Sequence, residues 1–125
     1  MTWTYSQTTG RISGVFQGKP YTAQGYSGRG IYKNVPEYQY VKNQGPIPQG
    51  TYTIGKPHVS VKTGRYVMDL TPNPNNNMFG RSDFQIHGDS ILDPGNASNG
   101  CIVLSHDARV TIYTSGDLIL TVVKG

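Results

Sequence analysis

The sequence predicts a mainly β domain that carries one short helix after its only cysteine. Three observations predict it. Apolar residues alternate with polar ones over short runs, the period of a half-buried strand. Gly, Pro or Asn bounds each run, and the chain holds 16 glycines and 8 prolines in 125 residues. One stretch, late in the chain, joins a helix cap to a helix stop.

The elements follow in order. Trp3 to Tyr5, Ile12 to Phe16 and Tyr21 to Tyr26 are separated by Gly10, Gly18-Lys19-Pro20 and Gly25, the spacing of a meander of small hairpins. Thr51 to Ile54 alternates, and Arg65 to Leu70 sets Tyr66, Met68 and Leu70 on one face. Thr71 to Asn77, with two prolines, reads as a loop unable to join a ladder, either a rim or lid over a site or a solvated connection. In Phe84-Gln85-Ile86-His87 the period points Phe84 and Ile86 into the core, so Gln85 and His87 take the other face and His87 is expected to be presented, not buried. Ser105 is the expected N-cap of a helix reaching Ser115, with Asp107 in its first turn and Gly116 as its stop. Leu118 to Val123 is the last strand. The sum is a mostly antiparallel β domain. No repeat or linker divides the chain, so residues 1–125 are expected to form a single domain.

Composition narrows the function classes. Hydrophobic residues make up 35% of the chain, which with the glycines is a globular share. No apolar run approaches the length of a membrane span, and the start Met1-Thr2-Trp3-Thr4-Tyr5-Ser6 lacks the order of a signal peptide. A soluble chain with no membrane insertion is expected. Eleven Lys and Arg against seven Asp and Glu give a formal charge of +4, but the cations are spread thinly and form no nucleic-acid tract. A mild positive charge suits an anionic polymer such as a bacterial wall. One cysteine allows no internal disulfide.

That cysteine, Cys101, lies fourteen residues after His87, within Ala97-Ser98-Asn99-Gly100-Cys101-Ile102. A thiolate is the reactive form of cysteine, and an imidazole beside it can take the thiol proton. Ser98, Asn99 and Gly100 form a turn, which sets the thiol between loop and sheet, and the segment Asp89 to Asn96 returns the chain so that Cys101 meets His87 across adjacent strands. The bland alternative is an inert buried cysteine beside an ordinary histidine. The amides of Gly100 and Cys101 are the expected oxyanion donors. Ser98 is a candidate to orient His87 or bind substrate, or else a turn cap; Asp89 and Ser90 either tune His87 or only shape a local turn. His58 and His106 have no partner at ligand spacing, so no metal and no cofactor is expected. Asn96-Ala97-Ser98 fits a glycosylation pattern, but a glycan there would obstruct the nucleophile.

Two segments carry a family resemblance. His87-Gly88 followed by Ser98-Asn99-Gly100-Cys101-Ile102 resembles the L,D-transpeptidase signature, and Gly45-Pro46-Ile47-Pro48-Gln49-Gly50-Thr51-Tyr52 is similar to the segment that opens that catalytic domain. Over nearly the whole chain, through Met1 to Ser6, Gly25 to Gly28, Met68 to Pro72 and Phe79-Gly80-Arg81-Ser82, the sequence resembles the peptidoglycan-targeting L,D-transpeptidase-like effectors of type VI secretion systems. The resemblance implies an L,D-transpeptidase-like β-sandwich or barrel, with amino-terminal hairpins of about residues 1–44 as candidate cap over the cleft. It also implies secretion without a signal peptide through a delivery component, action in the target-cell periplasm, and a cognate immunity protein. Asn99 stands where the family usually has histidine, which leaves His87 as the nearby base, and Val103 replaces an arginine. Arg81 is then the local candidate to hold a substrate carboxylate, or else an ordinary surface charge, with Ser90 and Asn99 as further substrate contacts.

The implied chemistry is attack of Cys101, activated by His87, on the meso-diaminopimelate carbonyl of a stem tetrapeptide, with loss of D-alanine and a thioester left on sulfur. Two other readings stay open: a noncatalytic wall-binding β domain using its nine tyrosines and one tryptophan, and a cysteine peptidase or amidase cutting elsewhere in the stem peptide.

Overall fold

The structure, a computed structural model, describes residues 2–125, so Met1 of the amino-terminal segment lies outside the described residues. The elements are β1 (Trp3–Ser6), β2 (Arg11–Phe16), β3 (Lys19–Gln24), β4 (Tyr26–Ser27), β5 (Gly50–Ile54), β6 (His58–Ser60), β7 (Gly64–Pro72), β8 (Gln85–His87), β9 (Ile102–Val103), α1 (His106–Thr114) and β10 (Ile119–Val123). Short 3-10 turns at Gly30–Tyr32 and Pro36–Tyr38 lie between β4 and β5. Strands bond in the order β3-β2-β1-β10-β5-β7-β8-β9-β4, with β6 added to β7. The pairs β1–β10 and β8–β9 are parallel and the others antiparallel. The result is a mainly β, nearly closed barrel or sandwich with a single short helix near the carboxyl end.

Alternation explains the core. Leu120 and Val122 of β10 are buried while Ile119, Thr121 and Val123 are not, and Trp3 and Tyr5 of β1 point the same way. With Ile12, Tyr52, Ile54, Met68, Leu70, Ile86, Ile102 and Ile112 they form one apolar cluster. Each such side chain contributes about 1.5–3 kcal/mol of burial. The Trp3 indole N–H donates to Ser115 Oγ at 3.1 Å, so its polar edge is not stranded. The expected run from Tyr21 to Tyr26 divides at Gly25: β3 pairs with β2, and β4 crosses to pair with β9.

The Thr71–Asn77 segment is not a free loop. Thr71 and Pro72 close β7, opposite Thr53 and Tyr52, because a proline at the last strand position interrupts nothing beyond it. Asn76 then bonds both main-chain groups of Thr51, accepting from its N–H at 3.1 Å and donating to its carbonyl at 2.9 Å. The segment is fastened along β5 and does not serve as a lid.

The helix forms where its cap and stop stand. Ser105 Oγ accepts the Ala108 N–H at 3.2 Å, and the Gly116 N–H donates to the Tyr113 carbonyl beyond the last turn. Its inward residues Ala108, Arg109 and Ile112 are buried. Among the described residues no helix is long and apolar enough to cross a membrane.

Candidate active site

Parallel pairing of β8 and β9 brings the two sequence-predicted groups to one place. Ile86 lies opposite Ile102 and His87 opposite Val103, and Cys101 is the residue just before β9. Cys101 and His87 line one cleft of about 660 Å³ with Arg81, Asp83, Phe84, Gln85 and Asn99. Cys101 is half-buried at the junction of turn and sheet. His87 departs from expectation: it is only 3% exposed. Phe84 and Ile86 do take the core side, but the opposite face of β8 is a cleft wall backed by Arg109, whose Nη2 would stand 2.9 Å from a Cβ at Gly88. Periodicity identifies a face, not what covers it. Of residues 1–44, Lys42 and Asn43 line the cleft, while β1 to β3 form the far edge of the sheet.

The turn carrying Cys101 is held by buried hydroxyls. Ser98 Oγ accepts the N–H of Gly28 at 2.9 Å and of Gly100 at 3.0 Å, and donates to the Cys101 carbonyl at 2.6 Å. A hydroxyl has one donor and two lone pairs, so Ser98 has nothing left for His87 or a substrate; its place is that of a positioning residue. Gly100 N–H is likewise already donated, which removes it from the oxyanion donors expected of this turn. From β4, Ser27 Oγ donates to the Gly100 carbonyl at 2.7 Å and accepts the Ile47 N–H at 2.8 Å.

Arg81 closes the same turn from below. It is 6% exposed, and its guanidinium donates to the carbonyls of Gln39 (2.6 Å), Pro46 (2.8 Å), Gly45 (3.0 Å) and Asn99 (3.2 Å). Four of its five N–H groups are thereby used on backbone, so Arg81 is a strut joining the Gly45-Pro46 segment to the Cys101 turn instead of an open carboxylate clamp. Asn99 lines the cleft while its side-chain oxygen accepts from Arg29 Nη1 at 3.0 Å. Ser90 is not among the cleft residues: its Oγ accepts the Asp93 N–H at 3.0 Å, inside a loop gathered by the Asp89 carboxylate.

Both side chains favour their neutral forms at neutral pH. Burial pushes the Cys101 thiol up to about 11, against the Gln85 backbone N–H and the Arg81 charge, which pull it down. The thiol donates weakly to the Asp83 carbonyl at 3.8 Å. Burial also lowers His87, opposed by its bond to the Gly88 carbonyl and reinforced by the charge of Arg109. That bond, Nδ1 to the Gly88 carbonyl at 2.8 Å, sets the tautomer. A carbonyl can only accept, so Nδ1 carries the proton and Nε2 keeps its lone pair, the form of a base.

Ser27, Gly28, Arg29, Asp83 and Gln85 escaped the sequence reading as parts of the site. Most of their contributions run to or from main-chain groups, which leave no spacing pattern. Ser27 and Gly28 lie within the Gly25 to Gly28 resemblance segment, and Gln85 shares the face of His87 by alternation; those are the signals available. His58 pairs with Asp69 at 2.9 Å on the surface, and His106 stacks edge-on against Tyr66. Among the described residues no group of three or more His, Cys, Asp or Glu is arranged to hold a metal.

Residues 21–119 match the family described as the Tlde1 domain. The chain belongs to the Tlde1 domain family. The match runs from Tyr21, within β3, to Ile119, the start of β10, and includes every residue that lines the cleft. An L,D-transpeptidase from Mycobacterium tuberculosis H37Rv is similar in structure, with a TM-score of 0.58 and 18% identity over 98% of this chain and 57% of that one. At that identity the likeness is one of fold, and this Tlde1 domain spans little more than half of that chain. No curated protein matches it. The architecture is therefore L,D-transpeptidase-like.

Proposed function

We propose that this Tlde1 domain is a cysteine enzyme of peptidoglycan that cleaves the bond between meso-diaminopimelate and D-alanine in stem tetrapeptides. The observation that carries the reading is that Cys101 and His87, brought together by parallel strands, line one open cleft within an L,D-transpeptidase-like fold. His87 Nε2 takes the thiol proton as sulfur attacks the diaminopimelate carbonyl carbon. The imidazolium returns that proton to the D-alanine nitrogen as the C–N bond breaks, and the acyl group stays on sulfur as a thioester. Water then gives L,D-carboxypeptidase activity; an amine acceptor gives transpeptidation or exchange.

With Gly100 N–H held by Ser98, the Cys101 amide is the turn donor we assign to the oxyanion. Because thiol and imidazole both rest neutral, His87 acts as a general base during attack and not as the cation of a standing ion pair. The same reading takes the protein to a target-cell periplasm through a type VI secretion system, with a delivery component and an immunity protein as partners.

Purified protein and its Cys101→Ala variant, incubated with disaccharide tetrapeptide, test it by mass. Loss of D-alanine with the parent protein alone supports the reading. Cleavage at another bond favours the peptidase or amidase alternative, and binding without turnover favours a wall-binding domain.

A further inference from the structure

The charged groups around the cleft are unequal in sign and in freedom. Lys42, Lys62 and Arg81 line it, against the single acidic side chain of Asp83. Arg81 is spent on four carbonyls, but the two lysines are not. Among the described residues the ion pairs are His58–Asp69 and Lys124–Glu37, and neither lysine takes part. Both lysines are exposed and come from separate loops whose backbones are fastened. Lys62 lies in the β6–β7 turn, where Ser60 Oγ accepts the N–H groups of Lys62 at 3.3 Å and Thr63 at 3.2 Å. Lys42 lies in the turn closed by Gly45 N–H on the Val41 carbonyl, and the Gly45 carbonyl is in turn held by Arg81.

We infer that Lys42 and Lys62 select substrate by charge: the cleft takes stem peptides with free carboxylates and discriminates against amidated ones. This rests on the reading above and adds which form of the substrate is used. The stem tetrapeptide carries carboxylates on both sides of the bond to be cut, on the terminal D-alanine and on the diaminopimelate side chain. Two flexible ammonium groups on anchored loops can reach such groups without a fixed geometry, as Lys does better than Arg. Converting a carboxylate to a carboxamide keeps its shape and removes its charge, and the part of the difference that disappears when both lysines are substituted is theirs. Exposed pairs are individually weak and screened by salt, so a discrimination of roughly tenfold for the two together is expected at low ionic strength.

The test uses full-length Cys101→Ala protein, which binds without turnover, and calorimetry with disaccharide tetrapeptide in free-acid and carboxamide forms. The free acid is expected to bind roughly tenfold tighter, with the gap narrowing in added salt. Lys42→Gln with Lys62→Gln is expected to abolish the gap while leaving carboxamide binding unchanged; in the catalytically intact protein the same pair raises KM and spares kcat. Equal binding of the two forms, or a gap that survives the double substitution, overturns the inference and leaves the peptidoglycan reading standing. Failure of both forms to bind overturns the reading itself and the inference with it.

Discussion

A methyl group on Gly100 would stand 2.4 Å from Nη2 of Arg81, in space that the guanidinium already fills. Gly100 also has φ of +132°, a region that side chains rarely enter. The Cys101 turn and the arginine beside it are thus built around each other. Gly100→Ala is expected to destabilise the protein by about 3 kcal/mol or more, from backbone strain and overpacking together. Gly18, at φ of +76° with nothing within 4 Å, isolates the first cause, so Gly18→Ala should cost only about 1–2 kcal/mol. Urea unfolding of the two variants measures the difference; equal losses would mean that Arg81 yields freely.

Ser98→Ala removes a hydroxyl that satisfies three main-chain groups around Cys101. A loss of about 2–4 kcal/mol is expected, since buried backbone groups lose partners. Activity should fall through kcat, because the turn loosens while the cleft lysines stay. A variant that keeps its stability yet loses turnover would show instead that the hydroxyl acts directly on substrate.

Protonation offers a separate check. The thiol is pushed up to about 11, so alkylation of Cys101 in the free protein should stay slow through neutral pH and rise toward a midpoint near 11. His87 is lowered from its ordinary value of 6.5, so the imidazole is already unprotonated at neutral pH. The acid limb of kcat/KM should therefore lie below 6.5, with the base competent above it. An alkylation midpoint below 8 would indicate a standing thiolate–imidazolium pair and contradict general-base activation.

At the helix, Ser105→Ala leaves the Ala108 N–H without its side-chain acceptor. A loss of about 1 kcal/mol is expected in thermal unfolding. The cleft should be unaffected, so turnover at a temperature well below unfolding should match the parent.

What was legible in the chain follows from how local each signal is. The long strands and the helix announce themselves through alternation and through Ser105 and Gly116, because those signals act within a few residues. Strands β4, β6 and β9 do not, since each is short and exists only through its partner. That Cys101 and His87 come to one cleft is legible because a short returning segment joins them. The burial of His87 is not, because Arg109 reaches it from an element remote in sequence. The bonds of Arg81 are hidden for the same reason. Its acceptors at Gln39, Gly45 and Pro46 are main-chain carbonyls some 35 to 42 residues away, and a carbonyl is present at every position.

Arg81 itself gives the sharpest separation of charge from geometry. The residue holds three segments through a planar fork, and its positive charge lowers the thiol of Cys101. Arg81→Met removes both contributions, whereas Arg81→Lys keeps a charge but not the fork. Both variants should lose about 3–5 kcal/mol of stability, because four buried carbonyls cannot all be met by one ammonium. Thiol reactivity should separate them. At fixed alkaline pH, alkylation of Cys101 should slow markedly in the Met variant and far less in the Lys variant, since the retained cation still favours the thiolate. Measuring both on folded protein, confirmed by circular dichroism, keeps loss of fold apart from loss of field. Equal alkylation rates in parent and Met variant would limit Arg81 to its structural bonds.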